Sequence, residues 1–279
     1  VSAPPRTWQA RWAPTPGTPG LCVAGMGVDA AARWAEVAGA RAVEEETGLS
    51  VEALCLLPVE KKRRERLAGR LAARAAIRAA WPEQADERLP QLRVREDGLR
   101  AGQPYLEGLF SEPLAQGRDG GFGITLSHSG DLAMAAVGPG AVGLDLEEVA
   151  PRDEGFLSLA FTPSECTDLA PLAAAWGLTF DEVLTLHWCA KEAALKRLGV
   201  GLRAALQEIE ITFSRERTPL AWTHVNGPHC SLVSSTWRST VRVRQAPDLS
   251  TPWPNGREEV LKLGAACAGG YVYAVLWEW

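Results

Sequence analysis

Val142-Gly143-Leu144-Asp145-Leu146-Glu147, followed at once by Glu148, is the stretch around which the rest of the chain is organised. Its alternation predicts a β-strand, because successive side chains point to opposite faces: Val142, Leu144 and Leu146 pack inward while Gly143, Asp145 and Glu147 share the other face. Two carboxylates then converge at the strand's end. They repel one another unless a cation lies between them, and hard oxygens at that spacing suit Mg²⁺, which takes one or two carboxylates together with phosphate oxygens and water. The competing reading is the solvated face of a half-buried strand, and the strand alone favours it, since such alternation is the ordinary signature of an amphipathic strand.

Bulk properties narrow the field. A chain of 279 residues with 46% hydrophobic content can bury a sizeable core, as one large domain or two smaller lobes. The net charge of −5 argues against a general nucleic-acid binder. Six cysteines (Cys22, Cys55, Cys166, Cys189, Cys230 and Cys267) are scattered without a Cys-x-x-Cys pair, so no zinc or redox motif is suggested. With no hydrophobic signal segment at the start, reduced thiols and a cytoplasmic location are expected. No apolar run approaches the ~18 residues that would read as a membrane span. The protein is expected to be soluble and monomeric, with no nucleic-acid or membrane partner.

Working outward from the central strand, residues 1–20 carry Pro4, Pro5, Pro14, Pro16 and Pro19 and read as a surface arm without regular pairing over most of its length. Leu21 to Val28 predicts a strand, Ala30 to Glu46 a helix, and Val51 to Leu57 a strand or buried loop. Glu60 to Ala80 predicts one long helix rich in basic residues. Arg66, Arg70, Arg74 and Arg78 recur at every fourth position, and one face carrying all four would repel itself unless anions were near, so the helix invites a polyanion. The alternative is an ordinary solvated basic face. A glycine-rich loop at Gly117 to Gly123 leads into the strand Ile124-Thr125-Leu126, the turn Ser127-His128-Ser129-Gly130 and a second strand, Leu132 to Val137. That turn reads either as a plain hairpin or as hydroxyls, N–H groups and an imidazole presented to an anion.

Beyond the central strand, Thr162-Pro163-Ser164-Glu165 predicts an N-capped helix start with proline at its first position. Asp181 to Gly199 predicts a long helix whose apolar stripe is Leu184, Trp188, Leu195 and Leu198. Lys191 projects from the middle of that stripe, and a buried ammonium should meet an anion. Glu192 and Lys196, one turn apart, also describe an ordinary surface ion pair. Strand-like runs follow at Ile209 to Phe213, Leu220 to Val225, Ser231 to Trp237, Val241 to Arg244 and Tyr271 to Trp277, with a loop at Pro247 to Gly256. Gly270 and the strand after it echo Gly130 and its strand, hinting at two similar halves.

Taken together, Leu126-Ser-His-Ser-Gly130, Val142-Gly-Leu-Asp-Leu-Glu147, Phe161-Thr-Pro-Ser-Glu165 and Trp188-Cys-Ala-Lys-Glu-Ala-Ala-Leu-Lys196 resemble the surfactin-type 4′-phosphopantetheinyl transferases in order and spacing. The resemblance covers the chain from about Val51 to Phe213. It implies an α+β fold of two similar pseudo-symmetric lobes, each a small sheet packed on a long helix, with the active site in the cleft between them. The arm at 1–20 would precede an N-terminal lobe at 21–140 and a C-terminal lobe at 141–279. The implied reaction moves the phosphopantetheine arm of coenzyme A to a serine of an apo acyl or peptidyl carrier protein and releases adenosine 3′,5′-bisphosphate.

Carried over by position, the resemblance implies Asp145, Glu147 and Glu192 as ligands of Mg²⁺, with Mn²⁺ as a substitute. Catalytic roles fall to Glu192, Lys196 and Asp145. Coenzyme A would be held by Arg70, Gln103, Pro104, Ser127, His128, Lys191 and Lys196, with both lysines near the pyrophosphate and His128 and Arg70 on the 3′-phosphate. Gln103 departs from a lysine common in the family, and Glu148 stands where a basic or neutral residue is usual. Two other readings share these motifs: a non-catalytic module that binds coenzyme A or a carrier protein, and a metal-dependent phosphodiesterase.

Overall fold

A computed structural model describes residues 7–12, 20–83, 89–94, 102–107, 121–199, 206–219, 224–226, 237–245 and 258–277. The chain is α+β. It runs through β1 (Trp8–Trp12), β2 (Leu21–Gly27), α1 (Val28–Ala38), α2 (Ala40–Thr47), α3 (Val51–Cys55), α4 (Glu60–Ala80), β3 (Gln91–Val94), β4 (Pro104–Glu107), β5 (Phe122–Ser129) and β6 (Leu132–Pro139). It continues through β7 (Gly143–Glu148), α5 (Glu154–Ala160), α6 (Pro163–Trp176), α7 (Phe180–Leu198), β8 (Ile209–Phe213), β9 (Thr218–Pro219), β10 (His224–Asn226), β11 (Trp237–Gln245), β12 (Glu258–Ala268) and β13 (Tyr271–Trp277). Among the described residues no single helix is long and apolar enough to cross a membrane.

One sheet has the order β10-β1-β2-β6-β5 and another the order β7-β13-β12-β11-β8, with β9 paired to β11. Helix α4 packs on the first sheet through Leu67, Ala68, Leu71, Ala72 and Ala75, meeting Ala24, Met26, Ala133 and Ala135. The alanines remove side-chain bulk from both surfaces and let helix and sheet approach closely. Helix α7 covers the second sheet with Leu184, Ala190 and Ala194 against Val272, Ala274 and Leu276. A third apolar layer lies between the sheets, where Leu21, Val23 and Met134 meet Leu144, Leu146, Tyr273 and Val275. Strands β5 and β7 are the ends of their respective sheets, and there the two edges come together.

Gly143 is the residue that sets the depth of α7. A Cβ at this position would overlap the Ala193 carbonyl, lying 2.8 Å from its carbon and 2.9 Å from Arg197 Cβ. Only glycine lets the helix backbone rest on the strand at this point. The helix itself is fixed at its start by a reciprocal capping box between Thr179 and Glu182 and at its end by Gly199 in the left-handed region.

Several expectations are corrected. Within the arm the proline-free run between Pro5 and Pro14 keeps its N–H groups, and Trp8–Trp12 is a strand that pairs antiparallel with β2 on one side and β10 on the other. Strand β10 lies in the C-terminal half of the sequence yet pairs with β1 in the first sheet. Val51 to Leu57 begins with a short exposed helix rather than a strand, started by Ser50, whose hydroxyl accepts from Ala53 N at 3.3 Å. The helix predicted over Ala30 to Glu46 breaks into α1 and α2 at Gly39, where φ is 80°. Strand β12 had not been anticipated. The glycine-rich loop before Gly121, the loop at 247–256 and most of the runs at 220–225 and 231–237 lie outside the described residues.

Candidate functional site

The alternation of β7 places its residues as read, but its second face is not solvated. Asp145 is only 4% exposed, because α7 lies over that face. Asp145 Oδ1 accepts from Ser127 Oγ at 2.7 Å and from Lys196 Nζ at 2.6 Å, and the same ammonium lies 3.0 Å from Ser127 Oγ. Lys196 therefore reaches across the edge where the sheets meet instead of behaving as a surface partner of Glu192. Asp145 Oδ2 is buried and has no hydrogen-bond partner. Two residues on, Glu147 accepts from Ser129 Oγ at 3.0 Å through Oε2 and from Trp188 Nε1 at 3.3 Å through Oε1.

Glu192 completes the set from α7. Burial, and then the neighbouring Asp145 carboxylate, push its carboxyl up to about 7 against the lowering effect of Lys196, with Glu147 adding to the rise. Three carboxylates thus share a region poor in water with one lysine. Among the described residues no group of three His, Cys, Asp or Glu side chains is placed so that it could by itself hold a metal ion. The donor chemistry nonetheless fits a hard divalent cation: one buried carboxylate oxygen lacks a hydrogen-bond partner, and burial, followed by the neighbouring Asp145 carboxylate, raises the Glu192 carboxyl. Asp145, Glu147 and Glu192 are the residues that would hold it.

Lys191 leaves the ligand set. Its side chain is fully buried, and its three N–H groups go to Ala160 O at 2.8 Å, Leu206 O at 2.9 Å and Glu165 Oε2 at 2.8 Å. The anion that a buried lysine needs is thus supplied by the chain itself. Glu165 also accepts from Ile211 N at 2.8 Å and Thr162 N at 2.8 Å, and its Oε1 lies 3.3 Å from His187 Nε2. Burial pushes the Glu165 carboxyl up, but His187 and Lys191 outweigh it and bring it down to about 2. This carboxylate was read in the sequence only as part of a helix start. Its capping box with Thr162 is present, and it serves both roles at once.

The basic helix is also largely answered from within. Arg78 pairs with both oxygens of Glu46, Arg64 pairs with Asp29, Lys61 lies 3.7 Å from Glu65, and Arg63 donates to Leu57 O. A step of four residues overshoots a helical turn by about 40°, so Arg66 and Arg78 do not share one face. Arg70 donates to Leu92 O at 2.9 Å, and burial, followed by Arg66 and Arg93, lowers its guanidinium to about 10. It lines a cavity of about 300 Å³ with Arg74, Arg93, Glu44 and Glu46, which includes none of the three carboxylates. His128 is half exposed on the opposite face of β5 from Ser127, 3.7 Å from Glu65 of α4. Gln103 rests against the end of α7, with its amide oxygen and carbon 3.1 and 3.2 Å from where a Cβ of Gly199 would stand. Pro104 opens β4 opposite Val94. The five described cysteines are free.

Comparison with known proteins shows what the chain resembles. Residues 141–246, which hold β7, α7 and all three carboxylates, match the model of the 4′-phosphopantetheinyl transferase superfamily. The resemblance read from the motifs is thereby borne out. The 4′-phosphopantetheinyl transferase psf-1 of Bacillus pumilus is 33% identical over 96 residues, which are 34% of this chain and 40% of the relative. The L-aminoadipate-semialdehyde dehydrogenase-phosphopantetheinyl transferase of Xenopus laevis is 29% identical over 181 residues, 58% of this chain and 55% of the relative. The human protein of the same name is 27% identical over 152 residues, 52% and 46%. The chain thus spans about half the length of these relatives.

Proposed function

We propose that this protein transfers the 4′-phosphopantetheine arm of coenzyme A to a serine of an apo acyl or peptidyl carrier protein. The observation that carries the reading is the convergence of Lys196 and Ser127 on one oxygen of Asp145, with the other oxygen buried and unpartnered beside Glu192 and Glu147. Attack on a pyrophosphate asks little covalent chemistry of a protein and much charge neutralisation. A bound Mg²⁺ or Mn²⁺, held by Asp145, Glu147 and Glu192, would neutralise charge on the pyrophosphate oxygens. Lys196, bonded to Asp145, supplies a second positive charge.

The serine oxygen forms a bond to the phosphorus carrying the pantetheine arm, and the bond from that phosphorus to the bridging oxygen breaks. Adenosine 3′,5′-bisphosphate leaves with the electron pair. Glu192, whose carboxyl is raised to about 7 by burial and by Asp145, is the group assigned to accept the serine proton. The two sheet-and-helix halves would act as pseudo-symmetric lobes, each supplying one wall: Ser127 from the first, the carboxylates from the second. Arg70, Gln103, Pro104 and His128 remain proposed contacts to the nucleotide end.

Mass spectrometry of an apo carrier protein after incubation with coenzyme A and Mg²⁺ tests the reading. The expected result is a phosphopantetheine mass on the carrier serine, lost when Mg²⁺ is chelated. Binding of coenzyme A without modification would mean a non-catalytic module. Cleavage of the nucleotide with an unmodified carrier would mean a phosphodiesterase.

A further inference from the structure

Every second residue of β5 from Thr125 to Ser129 carries a hydroxyl, and all three hydroxyls are directed at β7 across the meeting edges of the two sheets. Thr125 Oγ1 accepts from Leu144 N at 3.3 Å. Ser127 Oγ donates to Asp145 Oδ1 at 2.7 Å. Ser129 Oγ donates to Glu147 Oε2 at 3.0 Å and accepts from Glu148 N at 3.1 Å. Both ladders have a period of two residues, so each hydroxyl meets its own partner: backbone, carboxylate, carboxylate.

We infer that Ser127 and Ser129 are positioning residues that orient Asp145 and Glu147 toward a divalent cation, an inference that rests on the metal-dependent reading above. A hydroxyl has one proton to give. Ser127 gives it to Asp145, and its lone pairs face Lys196 Nζ at 3.0 Å, so it has no proton left for a phosphate. The residue expected to touch the ligand directly instead fixes the group that does. With Oδ1 held by both Ser127 and Lys196, rotation of the Asp145 carboxylate is arrested and its bare oxygen, Oδ2, is kept in one place. Ser129 is itself locked by the Glu148 N–H, so it transmits the position of β7's backbone to the Glu147 side chain. Because both hydroxyls come from the opposite sheet, the carboxylates are aligned only when the two sheets are correctly seated.

Outer partners of metal ligands typically contribute on the order of 10- to 100-fold in metal affinity. The test is Mn²⁺ binding followed by electron paramagnetic resonance in the absence of coenzyme A, with thermal melting recorded in parallel. Ser127→Ala should weaken Mn²⁺ binding by about 10-fold or more, and Ser127→Thr, which keeps the hydroxyl, should restore most of it. Ser129→Ala, at a half-buried position, should weaken it as well. Unchanged Mn²⁺ affinity in both alanine variants, with wild type binding normally, would overturn the inference and leave the transferase reading standing. So would a loss confined to coenzyme A binding in Ser127→Ala, which would make the serine a direct phosphate contact. A wild type that binds no Mn²⁺ yet modifies a carrier protein would remove the metal assignment and this inference together.

Discussion

Replacing Lys191 by methionine separates two accounts of a motif lysine. Methionine keeps the length and the apolar stem, so packing in the α7 stripe is nearly conserved. What disappears is the ammonium, with bonds to Ala160 O, Leu206 O and Glu165 Oε2. Those three oxygens belong to the end of α5, a short turn before β8, and the start of α6, so one nitrogen ties three segments to α7. Removing one partner of a buried ion pair costs about 3–5 kcal/mol, because the other charge stays behind. Glu165 retains its bonds from Thr162 N and Ile211 N and its contact with His187, which places the loss at the lower end of that range. For a chain of this size the melting temperature should fall by on the order of 10 °C. Below that temperature the affinity for coenzyme A, measured calorimetrically, should change little, since the site itself is untouched. A melting temperature within about 1 °C of wild type, together with a tenfold loss of coenzyme A affinity, would refute the buried assignment and return Lys191 to the pyrophosphate.

Gly143→Ala should destabilise by about 1–3 kcal/mol, since the new methyl cannot coexist with the Ala193 carbonyl unless α7 lifts. A shift of that helix by about 1 Å should also cost roughly 10²-fold in transfer, read as kcat in a carrier-protein assay; full activity would mean that α7 does not position Glu192 and Lys196. Acid should unfold the protein through Glu165. Its carboxyl is held at about 2, below the ordinary 4.5, so its contribution is complete above pH 4.5 and is lost as pH falls through 2. Urea midpoints measured down this range should drop for wild type and flatten in Glu165→Gln, and parallel curves for the two would contradict the assignment.

The elements that were legible in the sequence are those whose cause is local. The limits of α4, the capped start of α6 and the alternation of β7 follow from periodicity and capping within a few residues, and all three are present. What escaped is what depends on a distant partner. Periodicity put Lys191 in the core, and physical chemistry required an anion there, but nothing local distinguishes a ligand's phosphate from Glu165. Strand β12 shows the same limit in reverse. Its Glu259 faces the core while Val260 is 59% exposed, against any hydropathy pattern, because Arg197 of α7 is itself buried and pairs with both Glu259 oxygens. A buried arginine and a buried glutamate each look misplaced alone, and each accounts for the other. The same logic runs through the candidate site: Asp145, Lys196 and Ser127 lie on three elements, none of them explains its own burial, and together they leave a single bare carboxylate oxygen. Among the described residues that oxygen is a buried acceptor of the site with no hydrogen-bond donor, and its chemistry is compatible with a cation as partner.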